Sequence, residues 1–178
     1  MTSIRVADGD RVFSFDFDDL LKFHGTKSIC GLTVSLKIME AAWTTCWKHK
    51  PPARDEISVH SGFPGPGTRD GFEIVTRAIS HGAYHILNDP PSGPLVAEAA
   101  KGAYFFRVSA AGASVELGLK PEVVPDDFVA RRRLLQSGEA SENDAKTFRQ
   151  MQFEFSDHLR ALKPFEAVNV LTVSGLDP

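Results

Sequence analysis

The residue types that could do chemistry in this chain cluster in its first half. His24 and Cys30 flank a turn containing Gly25, just before a long apolar segment with helical spacing. A cysteine at a helix start is a candidate thiolate, because free backbone N–H groups and the helix dipole favour the anion. A thiolate and a neutral imidazole are good ligands for zinc or another borderline-soft metal. The same two residues could instead act as thiol nucleophile and base. The plainer alternative is a small buried thiol and a hydrogen-bonded histidine at a tight turn.

A metal needs three or four ligands. His60 and His81 are the next donors, with His85 beside them. His81 and His85 are four residues apart, but Gly82 interrupts the helix that would align them. The expected metal set is therefore His24, Cys30 and a third ligand from His60 or His81. His49 and His158 read as exposed helix residues.

The segment Ser61-Gly62-Phe63-Pro64-Gly65-Pro66-Gly67 is dense in residues that break regular structure. Ahead of a helix it could cradle an anion or wall a ligand pocket. It lacks the Gly-Lys-Ser/Thr ending of a phosphate-binding loop and the glycine spacing of a dinucleotide site. There is no Gly-x-Ser-x-Gly nucleophile turn.

The elements that must position these residues follow from periodicity. Residues 4–15 alternate around an Asp-Gly pair and predict a hairpin or extended arm. Residues 16–23 predict a short helix with acidic residues in its first turn. Over residues 30–48, Leu32, Leu36, Met39, Trp43 and Trp47 form a helical stripe that Pro51-Pro52 closes. Residues 56–60 are strand-like. Thr68 is the expected N-cap of a second helix, ending at Gly82. Residues 83–87, 103–109, 114–119 and 168–173 read as strands, the middle pair as a hairpin. Residues 126–136 read as a helix, and Ser141 with Asp144 opens another running to Leu162. Neighbouring strands on short loops, with helices between groups, predict an α+β fold with a largely antiparallel sheet packed by amphipathic helices.

The chain has 178 residues, 42% apolar, which suits a single domain over residues 1–178. Net charge is -3, and the one dense basic run, Arg131-Arg132-Arg133, falls in an expected helix. That pattern excludes a nucleic-acid face. No apolar run reaches the roughly 18 residues of a membrane span. The polar N-terminus lacks a signal-peptide pattern. Cys30 and Cys46 lie sixteen residues apart on one expected helix, roughly 24 Å. That is too far for a disulfide. Two free thiols point to a cytoplasmic protein. Trp43, Trp47, Phe148, Phe153 and Phe155 offer more aromatic surface than a small domain easily hides, which predicts a homodimer.

Residues 23–42, FHGTKSICGLTVSLKIMEAA, resemble the E-subunit family of formylmethanofuran dehydrogenase (the FmdE-like family), whose members carry Phe-His-Gly-His-x-Cys-Pro-Gly-Leu opening a helix. Asp70-Gly71-Phe72-Glu73-Ile74-Val75 is similar to the family's second segment, and Lys101-Gly102-Ala103-Tyr104-Phe105-Phe106 to its Gly-Lys-x-Ala-Phe-x-Phe strand. The resemblance spans residues 23 to about 120 in family order. It implies an α+β fold, a metal bound by His and Cys, and dimerisation. His24 matches residue for residue. Thr26 stands where the family has its second histidine, and Cys30 falls on the family's proline after a one-residue insertion. The family's cysteine before the second segment aligns near Thr68. No Cys follows residue 46, so the cysteine-rich module of some members is absent. The resemblance implies a zinc-binding domain, accessory to a molybdenum or tungsten dehydrogenase-type system. The altered motif leaves open a non-catalytic, small-ligand-binding or accessory domain that has lost the metal.

Overall fold

Alternation over residues 4–15 produces a two-stranded ribbon in the computed structural model, which describes residues 3–175. Strand β1 (Ile4–Asp8) pairs antiparallel with β2 (Arg11–Phe15), and Gly9 supplies the positive φ of the turn. Asp16 then caps α1 (Phe17–His24). Its carboxylate accepts from the backbone N–H groups of Asp18 and Asp19, while Asp19 accepts from the Asp16 N–H. Gly25, at φ 79°, turns the chain out of that helix toward α2 (Ile29–Cys46).

Helix α3 (Pro66–Thr76) starts three residues earlier than expected, with Gly65 rather than Thr68 at its N-cap. Pro66 takes the first helical position, where its missing N–H costs nothing. Thr68 is not the cap; its hydroxyl donates 3.0 Å to the Gly31 carbonyl of α2. The helix ends at Arg77 in a left-handed conformation, not at Gly82. Strands β3 (Ser58–Ser61) and β4 (Tyr84–Ile86) flank α3 and run parallel, because the helix carries the chain back between them. β5 (Phe105–Ala110) and β6 (Ala113–Leu119) form the expected hairpin around Ala111-Gly112, both at positive φ. Helices α4 (Phe128–Ser137), α5 (Glu142–Ala161) and the short α6 (Pro164–Ala167) lead to β7 (Val168–Ser174). Ser141 and Asp144 make a reciprocal capping box at the start of α5.

The five-stranded sheet has the order β4-β3-β5-β6-β7. Three of its four pairings are antiparallel and β3–β4 is parallel. The fold is α+β. One sheet face carries Val59, Phe106, Val108, Val115 and Leu117 into the main core against the helices. The other carries His60, Arg107 and Glu116. There, residues 87–105 build a small second cluster on Phe105.

Helix α2 departs from its predicted stripe. Every residue from Ile29 to Trp43 is buried, Thr33, Ser35, Lys37 and Glu40 included. A helix enclosed on all sides is central, not amphipathic; α3, α5 and β6 all pack on it. Gly31, Gly67 and Gly71 allow this closeness. A Cβ on Gly67 would meet the Ser28 carbonyl and the Leu32 nitrogen, and one on Gly71 would meet the Ser35 hydroxyl. Trp43, Trp47, Phe148 and Phe155 are also buried, with Phe153 packed against them. The aromatic surface expected to mark a dimer interface is therefore interior. Among the described residues, no helix is long and apolar enough to cross a membrane.

Candidate functional site

His24 is the last residue of α1, and the turn at Gly25 leaves its ring against α3. Its Nδ1 lies 2.7 Å from Asp70 Oδ2. A carboxylate only accepts, so Nδ1 carries a hydrogen, and in the neutral form of the ring the lone pair is at Nε2. The His24 side chain is 7% exposed and Asp70 39%. Nε2 is buried and has no hydrogen-bond partner among the described residues. A buried polar atom without a partner is costly and calls for a role. A carboxylate fixing the far nitrogen is also the support that metal-binding histidines receive.

Cys30, in the first turn of α2, is directed elsewhere. Its sulfur accepts from Gln152 Nε2 of α5 at 3.7 Å, and it lies close enough to the buried Tyr104 for the two ionisations to oppose each other. Burial pushes the Cys30 thiol up to about 11, against smaller downward contributions from Gln152 and nearby backbone. This direction is opposite to that expected of a helix-stabilised thiolate. Desolvation of the charged form outweighs the helix start, so Cys30 is a protonated thiol at neutral pH. With the Cys30 sulfur turned to Gln152 and His24 Nδ1 turned to Asp70, each side chain has a partner other than the expected one.

His60 projects from the sheet face opposite the helices. It is paired with Arg107 and lies beside His85, with ring centroids 5.0 Å apart. Its Nδ1 is buried without a partner among the described residues. Burial, His85 and Arg107 hold its pKa below the usual imidazole value. The sheet therefore stands between His60 and His24, which packs on α3. His81 is exposed in the turn after α3, beyond the far end of that helix from the 61–67 loop. Among the described residues, no three His, Cys, Asp or Glu side chains come together to hold a metal ion. His24, Cys30, His60 and His81 are not brought together: His24 is held by Asp70, Cys30 by Gln152, and His60 and His81 lie elsewhere.

The 61–67 loop is packed on both sides. The Ser61 hydroxyl donates to the Phe63 carbonyl at 2.8 Å and accepts from the Phe63 N–H at 3.1 Å. Gly62 donates to Phe105 O and accepts from the Ala103 N–H. A Cβ on Gly62 would press on Pro90 and the Ala103 carbonyl. Phe63 stacks at 4.6 Å on Tyr104. These contacts account for the loop's small residues by close packing.

No protein-family model and no curated protein matches the chain. Two residues that complete the local chemistry, Asp70 and Gln152, escape sequence reasoning. Asp70 lies inside the second family-like segment, but its bond to His24 spans 46 residues and has no local signal.

Proposed function

We propose that the chain is a small-ligand-binding or accessory domain similar to the FmdE-like family of formylmethanofuran dehydrogenase, one that keeps the histidine of the family motif and has lost the thiolate half of the site. The observation that carries this reading is the His24 ring, fixed by Asp70 at one nitrogen and, among the described residues, buried without a partner at the other. His24 Nε2 is the polar contact for the ligand, and Cys30 is a packing residue. The test compares native protein with Cys30→Ser and His24→Ala, reading metal content of native-source protein by elemental analysis together with thiol titration. Metal-free protein in which C30S keeps its ligand-binding behaviour and H24A loses it supports the accessory reading.

A second reading is favoured by the Asp70 support of His24, which suits a metal ligand. In it zinc is held by His24 with Cys30 and a third ligand, after local rearrangement of the turn between α1 and α2, in a domain serving a molybdenum or tungsten dehydrogenase-type system. Stoichiometric zinc lost in both H24A and C30S would establish it.

Either reading fits a cytoplasmic homodimer. What supports the dimer is the β7 edge of the sheet, where Val170 and Val173 are each 38% exposed. A monomeric mass by light scattering at micromolar concentration overturns it.

A further inference from the structure

A second polar feature lies on α2, away from His24. Lys37 Nζ sits 2.8 Å from Glu40 Oε2 and 2.8 Å from the Leu162 carbonyl. The two side chains are 5% and 6% exposed. Burying two charges in an apolar helix is usually no better than an apolar pair of the same shape. Part of the arrangement is structural: Lys37 caps the open carbonyl end of α5, and Glu40 balances its charge. That does not account for the groups left over. An ammonium has three N–H groups, and two are used among the described residues. Glu40 Oε1 accepts no protein hydrogen bond among them.

Both side chains line a cleft of about 400 Å³ between α1, α2 and the junction of α5 with α6. That volume lies within the range of small-molecule sites. Phe17 and Leu36 give it apolar wall, and the Arg160 guanidinium lies 4.0 Å over the Phe17 ring. The charges around the mouth are balanced, Asp16 and Asp157 against Arg160 and Lys163.

We propose that this cleft binds a free α-amino acid. The ligand carboxylate accepts the remaining Lys37 N–H, the ligand ammonium donates to Glu40 Oε1, and its side chain lies against Phe17 and Leu36. A spare donor next to a spare acceptor, in a cleft of no net charge, matches a zwitterion and disfavours a ligand charged at one end only. The inference stands on residues separate from His24 and is independent of the reading given for that site.

The test is titration calorimetry of the full chain with leucine, phenylalanine and serine, and with N-acetylleucine and leucinamide. The expected result is saturable binding of leucine and phenylalanine. Blocking either end should weaken leucine by more than about tenfold, the loss of one charge-assisted hydrogen bond. The Lys37→Met/Glu40→Leu double variant should fold and lose binding. Should it not fold, Ala161→Trp closes the cleft from an exposed lining position and must also abolish binding. The proposal is overturned if none of the three amino acids binds, if the blocked forms bind as well as leucine, or if binding survives in Ala161→Trp.

Discussion

His24 Nδ1 and Asp70 Oδ2 meet at 2.7 Å, tying the end of α1 to the middle of α3 across 46 residues of chain. The contact fixes both the tautomer and the orientation of the imidazole, and it leaves Nε2 facing the interior. Asp70 is partly exposed, so solvent weakens the pairing. A double-mutant cycle on His24→Ala and Asp70→Ala should give a coupling of about 1 kcal/mol in urea unfolding. Coupling indistinguishable from zero would mean that Asp70 does not hold the ring.

Cys30 predicts a pH dependence of stability. Its folded pKa is raised from 9.0 to about 11 by burial. Below 9.0 the folded and unfolded chains both carry the proton, and the stabilisation is fully present. Above it the unfolded chain releases its proton first, so stability falls as pH rises through the folded value. The whole effect is about 2 to 3 kcal/mol. Urea unfolding at pH 8 and pH 11 should show this alkaline loss in the native chain and a smaller one in Cys30→Ser. In native protein at pH 8, iodoacetamide should label the half-buried Cys46 well before Cys30.

What is legible in the sequence is local. The Ser141–Asp144 capping box, the 105–119 hairpin and the α2 span depend on neighbours within a few residues, and periodicity or cap chemistry reports them directly. The start of α3 escapes that reading because Thr68 satisfies itself on Gly31, a contact 37 residues away. The parallel β3–β4 pair follows from α3 crossing between them, which strand patterns alone do not encode. The state of Cys30 is hidden for the same reason. Its helix position is visible, but Gln152, the partner that helps enclose it, lies 122 residues on.

The α2–α3 contact makes Gly67 a point of no tolerance. Alanine there would drive its Cβ into the Ser28 carbonyl and the Leu32 nitrogen, both backbone atoms that cannot rotate aside. Overpacking of this kind costs about 1 to 3 kcal/mol. Gly67→Ala should lower the urea midpoint accordingly, whereas Gly138→Ala, open in space but strained by its positive φ, should cost less. Equal losses would place the penalty in backbone conformation rather than in helix contact.

The Lys37–Glu40 pair separates charge burial from packing. Lys37→Met alone leaves a buried carboxylate without its cation, and Glu40→Leu alone leaves the ammonium with only the Leu162 carbonyl. Each single change should destabilise, by no more than the roughly 3 to 5 kcal/mol of a fully enclosed pair, because water in the cleft replaces the lost partner only in part. The double variant restores neutrality with side chains of similar length, and should return to within about 1 kcal/mol of the native chain or exceed it. Urea unfolding of the four proteins reads the cycle directly. Additive losses in the double variant would show that each residue stabilises through its own packing, and that the ion pair between them contributes nothing to the fold.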